Sequence, residues 1–142
     1  MIALERVYDV SRAARGRQFL VERLWPRGVK KTALSLDGWL REVAPSTGLR
    51  RWFGHDPEKW QDFQRRYARE LDAHPEAWEP LLSAARRGRV TLLFSSRDTE
   101  HNNAVALKRY LEARLRRAGA PRAQTPTGRP APRRIRRRAD TP

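Results

Sequence analysis

Two short stretches of this sequence carry residues whose types and spacing suit chemistry. The first is Phe19-Leu20-Val21-Glu22-Arg23-Leu24-Trp25-Pro26-Arg27-Gly28. Apolar residues lead into it, and Pro26 and Gly28 close it, the pattern of a buried strand running into a loop. Arg23, Trp25 and Arg27 would then stand at the strand's exit. The second is Ser95-Ser96-Arg97-Asp98, followed by Thr99, Glu100, His101 and Asn102, between an apolar run and a helical pattern. Guanidinium forks hold phosphate or carboxylate through paired hydrogen bonds, and a helix start adds N–H groups without intrahelical partners. Arg23, Trp25, Arg27, Ser96, Arg97 and Asn102 are therefore the expected binding residues for a small anion, phosphate or nucleotide-like. Asp98 and His101 are the candidates for a catalytic role. Asp98 would cap the helix or orient an arginine, and His101 would be the proton carrier near neutral pH. The plainer alternative pairs the arginines with acidic neighbours, buries Trp25 in the core and makes Asp98 or Thr99 a simple helix cap.

Other chemistries find little in the chain. There is no cysteine, which excludes disulfides, thiolate catalysis and Cys-based zinc sites. Ser96 has no Gly-x-Ser-x-Gly elbow around it and would need a base beside it to act as a nucleophile. His55, His74 and His101 form no His-x-x-x-His pair, so no metal site is expected. Neither a Gly-x-x-x-x-Gly-Lys nor a Gly-x-Gly-x-x-Gly loop occurs, and no cofactor is expected. The competing class of function is a nucleic-acid binding module. Residues 36–43, a turn at Ala44-Pro45 and residues 46–53 have helix-turn-helix spacing, with Arg50 and Arg51 placed to meet phosphates.

The string Leu20-Val-Glu-Arg-Leu-Trp-Pro-Arg-Gly28 closely resembles the signature of the YeaO-like family, a bacterial domain family of unknown function (domain of unknown function 488). Further matching positions follow in order: Trp39, Ala44-Pro45-Ser46, Leu49-Arg50, Trp52-Phe53, His55-Asp56-Pro57, Trp60, Phe63, Val90-Thr-Leu-Leu, Asp98 and Asn102. The resemblance covers residues 4–115 and implies an α/β domain. Glu22 stands where that family usually has Asp. Distant relatives carry cysteines near the second strand's exit, so no thiol mechanism carries over to this chain.

The elements that must position these residues follow from periodicity. Ile2, Leu4, Val7, Tyr8 and Val10 predict a first strand, and Gln18 to Leu24 a second, with a link short enough for a hairpin or one helical turn. Leu36, Trp39, Leu40 and Val43 recur at i, i+3, i+4 and i+7, predicting a helix capped by Ser35 and ended by Pro45. Ser46 would cap a short helix to Phe53, with Gly54 as its stop. Asp56-Pro57-Glu58 is a helix start for Trp60, Phe63, Tyr67 and Leu71, an inward face over 57–73. A further helix runs to Arg87, with Pro80 starting or bending it. Val90-Thr-Leu-Leu-Phe-Ser95 lacks alternation, as a strand buried on both faces does. A last helix is predicted over 99–117. Together these read as α/β: a small, mostly parallel sheet covered by several helices in a single domain of residues 1–117.

Residues 118–142 have Pro, Gly and Arg without periodicity and predict a disordered Arg/Pro-rich tail. The net charge is +15, and the tail's seven arginines against one acid supply +6 of it, leaving +9 for the domain. That balance favours anionic partners, including nonspecific nucleic acid through the tail. Only four of the basic residues are lysine, so the plainer alternative is an arginine bias in coding, which charge alone does not separate from an anionic partner. No apolar run reaches the roughly 18 residues of a membrane span, and no signal peptide pattern opens the chain. A cytoplasmic protein without membrane contact is expected, and the oligomeric state stays open.

Overall fold

The strand over Val90–Phe94 (β4) is buried at every residue and forms the centre of the sheet in the computed structural model, which describes residues 1–9 and 16–119. Ile2–Arg6 (β1) pairs with β4 on one side and Arg17–Leu20 (β2) on the other, while Gly38–Trp39 (β3) adds to the outer edge of β2. The order is β1-β4-β2-β3 and every pairing is parallel. An unbroken Val-Thr-Leu-Leu-Phe run suits this place, because a central parallel strand meets protein on both faces.

The hairpin option for the first two strands is overturned. β1 and β2 flank β4 from opposite sides and run the same way, whereas a hairpin needs antiparallel neighbours. Gly16 opens β2 with φ +87°, and a Cβ there would collide with the Arg89 carbonyl. Only glycine lets the chain pass so close as Arg17 N–H bonds to Arg89 O at 3.0 Å.

The helix expected over 36–43 is also absent. Gly38-Trp39 is a strand beside β2, and Arg41–Val43 is a single 3₁₀ turn. The helical spacing arose because the segment crosses the sheet edge. Leu36 and Trp39 pack on one face with Leu20 and Leu93, whereas Leu40 and Val43 join the core on the other. The helix-turn-helix reading loses its first helix, and with it the scaffold that would place Arg50 and Arg51 on DNA.

Thr47–Phe53 (α1), Trp60–Ala73 (α2), Pro75–Arg87 (α3) and Asn103–Gly119 (α4) pack into the main core on one face of the sheet. Ser46 caps α1, accepting from Leu49 N–H, and Gly54 ends it with a left-handed φ of 53°. Trp60, Phe63, Tyr67 and Leu71 are all buried, as their spacing predicts. Pro75 takes the first helical turn of α3 and Pro80 lies inside that helix. The opposite face of the sheet has no α-helix over it among the described residues. The stretch from Trp25 to Trp39 covers it, with Val29, Leu34 and Leu36 around Val7, Leu20 and Leu93.

α4 runs through Gly119, two residues past the end expected for that helix. The rest of the expected tail, 120–142, and the link 10–15 lie outside the described residues. Among the described residues no helix is long and apolar enough to cross a membrane.

Candidate functional site

Because β2 and β4 are adjacent and parallel, their exits open on the same rim. Such carboxyl-end crevices are where open α/β sheets bind ligands. A pocket of about 520 Å³ lies there. Glu22 and Arg23 line it from β2, and Ser95 to Asp98 from β4. Ala44, Pro45, Arg50, Phe53 and His55 wall it from around α1, and Asn102 and Asn103 from the start of α4. Leu24, 70% exposed, forms an apolar lip.

The β2 exit is held from several sides. Val21 N–H still bonds to Leu93 O at 3.2 Å, one residue past the strand. Asn103 Nδ2 donates to Val21 O at 2.7 Å, and Trp39 Nε1 donates to Glu22 O at 2.7 Å. Arg23 donates through Nε to Pro45 O at 2.9 Å and through Nη2 to Ala44 O at 3.3 Å. Its guanidinium thus staples the loop to the segment before α1, and the 3.8 Å approach to exposed Glu42 adds little. On the other exit, Arg6 Nε from β1 donates to Ser96 O at 3.0 Å.

Glu22 is the half-buried acid of the pocket. Its Oε1 accepts from Ser95 Oγ at 2.7 Å. Burial pushes its carboxyl above the ordinary range, opposed by the Ser95 hydroxyl and then by the charge of Arg50. Asp98 is displaced the other way. Its Oδ1 accepts from Glu100 N–H and His101 N–H, both at 2.9 Å, and these donors hold its carboxyl below the usual value.

Arg23, Ser96, Arg97, Asp98 and Asn102, all expected at the site, line this one pocket. Three others stand elsewhere. Trp25 meets Trp39 edge-on at 5.3 Å and donates to Val29 O at 2.6 Å, so it belongs to the cover of the far face. Arg27 is exposed in the turn beyond, where its carbonyl accepts from Tyr8 OH at 2.8 Å. His101 lies edge-on to Trp60 at 5.3 Å, with Nδ1 3.0 Å from Asp98 Oδ2. The physical reason is shared: the loop turns back over the sheet at Trp25, and helix α4 starts four residues later than its pattern predicts. Asn102 is the true cap, with Oδ1 accepting from Val105 N–H at 3.0 Å and Nδ2 donating to Asp98 O at 2.8 Å.

Sequence reasoning passed over Glu22 and Arg50 as site residues. Glu22 sat inside the signature and was weighed only as a variant of Asp. Arg50 stands among the family-matching positions but has no site role in the sequence beyond a DNA contact. The missing signal was spatial, since α1 reaches the rim through a turn that ends with His55 at a left-handed φ of 57°. Among the described residues no three acids or histidines gather as metal ligands.

Fold and rim define an α/β domain with a pocket at the carboxyl ends of two parallel strands. The chain belongs to the YeaO-like DUF488 family: over residues 1–129 it matches the family described as the inactive DUF488-N3 subclade. It is 39% identical over 112 residues to the uncharacterized protein YeaO of Escherichia coli K12, covering 79% of this chain and 97% of that protein. It is 33% identical over 113 residues to uncharacterized proteins of Mycobacterium bovis and Mycobacterium tuberculosis, covering 80% of this chain and 95% of each. No solved structure matches significantly.

Proposed function

We propose that the pocket between the β2 and β4 exits binds a small anionic ligand, phosphate or nucleotide-like, and holds it without turnover. The observation that carries this reading is the meeting of Arg50 and Arg97 in one pocket with guanidinium groups that make no hydrogen bond or ion pair among the described residues. Arg23 beside them is committed to two carbonyls, so it adds charge but few free donors. Binding is favoured over catalysis by what surrounds the hydroxyls. Ser96 Oγ accepts from Asp98 N–H, and Ser95 Oγ donates to Glu22. The imidazole of His101 is turned to Asp98 and Trp60. Ser96 therefore has no base beside it, and the one hydroxyl that meets a carboxylate, Ser95 on Glu22, is itself half-buried. The description of the matched subclade as inactive is in keeping with this.

Titration calorimetry with inorganic phosphate and with adenosine monophosphate tests the reading. Arg97→Ala and Arg50→Ala should each weaken binding about tenfold or more, the worth of a charge-assisted hydrogen bond. Circular dichroism should be unchanged, because neither guanidinium supports the fold. Arg27→Ala should leave binding as it is. No heat with either anion, or binding indifferent to both substitutions, would overturn it.

A further inference from the structure

Glu22 is what anion binding alone leaves unexplained. A carboxylate in the wall of an anion site repels the ligand unless it has a task of its own. It is half-buried and held in place: Ser95 Oγ bonds to Oε1 at 2.7 Å and Trp39 Nε1 fixes its backbone carbonyl at 2.7 Å. The Asn103 side chain and the Ser95 N–H also stabilise its carboxylate, and all of these donors are neutral. No Lys, Arg or His among the described residues forms an ion pair with it, and Arg50 acts on it only through space.

The other charges of the pocket sort themselves. Arg23 is committed to the carbonyls of Ala44 and Pro45. Asp98 is committed to the N–H groups of Glu100 and His101 and to the His101 ring. Two cations, Arg50 and Arg97, and one anion, Glu22, are left without a direct ionic partner in a single pocket. Phe53 and Leu24 supply apolar wall among them.

Building on the anion-binding reading above, we propose that the ligand is amphoteric: besides the anionic group held by Arg50 and Arg97, it carries an ammonium group that docks on the Glu22 carboxylate. A buried carboxylate with only neutral donors gains a charge-assisted hydrogen bond from such a group. The ammonium in turn loses water to a fixed acceptor, which makes Glu22 a specificity-determining residue and not merely a wall.

Matched probes isolate this contact. Aminoethyl phosphate and aminopropyl phosphate are compared with propyl and butyl phosphate, in which a methyl group replaces the ammonium. Inorganic phosphate reports the anion site alone. At least one aminoalkyl phosphate should bind the full chain about tenfold more tightly than its alkyl counterpart. In Glu22→Gln that preference should vanish, while the alkyl phosphates bind as well or better because a like charge is gone. Glu22→Asp keeps the charge and should keep the preference. No aminoalkyl advantage in the unaltered chain overturns the proposal, whether or not the variants fold, and so does an advantage that survives Glu22→Gln. If inorganic and alkyl phosphates fail to bind as well, the anion-binding reading falls, and this proposal falls with it.

Discussion

Two carboxylates share the pocket wall and are displaced in opposite directions, which makes them separable by pH. Burial raises the Glu22 carboxyl from its ordinary 4.5, so the folded chain holds this proton more tightly than the unfolded one. Its contribution to stability is complete below that value and is lost as pH rises through the folded pKa. Glu22→Gln mimics the protonated form. Its thermal midpoint should match the parent's in mild acid and gain on it as pH rises toward neutral. Asp98, held down by the Glu100 and His101 N–H groups, has the reverse sign. Its contribution is complete above the ordinary 3.8 and fades as pH falls through the folded pKa. Asp98→Asn should therefore cost most near neutrality and least in acid. Midpoints of both variants across a pH series check the pair, and curves of the same sign would contradict these environments.

Among the elements, the start of α4 decides what the β4 exit offers a ligand. A helix beginning at Thr99 would have aimed its free N–H groups at the rim. Instead the chain makes a turn on Asp98 first, and Asn102 closes the helix on itself. Asn102 is 2% exposed and both ends of its amide are spent on backbone. Asn102→Ala should lower stability by about 1–2 kcal/mol, the usual worth of a cap, as measured by denaturant unfolding. Phosphate affinity of the folded fraction should not change, since neither amide atom is free. A loss of affinity without a loss of stability would return Asn102 to the binding set.

For the whole molecule, the parallel arrangement around β4 is what brings two separate loops to one pocket. Had β1 and β2 formed a hairpin, the β2 exit would have faced the opposite edge from the start of α4. Charge is the other molecular property, and the seven arginines beyond Gly119 carry a large share of it. Removing residues 120–142 should move the thermal midpoint by less than about 5 °C, which corresponds to roughly 1 kcal/mol for a domain of this size. It should also flatten the salt dependence of any binding to random duplex DNA, because fewer phosphates are neutralised. Phosphate binding at the pocket should survive the truncation. A larger drop in midpoint would show that these residues support the fold.

The local rules were legible in the sequence wherever a pattern served one environment. Trp60, Phe63, Tyr67 and Leu71 face one core, and β4 lies between two, so periodicity in one and its absence in the other were sufficient. The α/β class followed from the same signals. Where one segment serves two environments, the pattern misleads. Leu36 to Val43 has helical spacing because its residues divide between two faces of the sheet. Strand order lay beyond reach for a related reason. The pairings to β4 join residues more than seventy positions apart, as Arg17 with Val90, and no local spacing records them. The site inherits that dependence. Arg23 and Arg97 could be named from their strands, but Glu22 became the pocket's half-buried acid only when Ser95 was brought to 2.7 Å from it. Its desolvation depends on how closely the chain packs around it, and only the tertiary structure determines that.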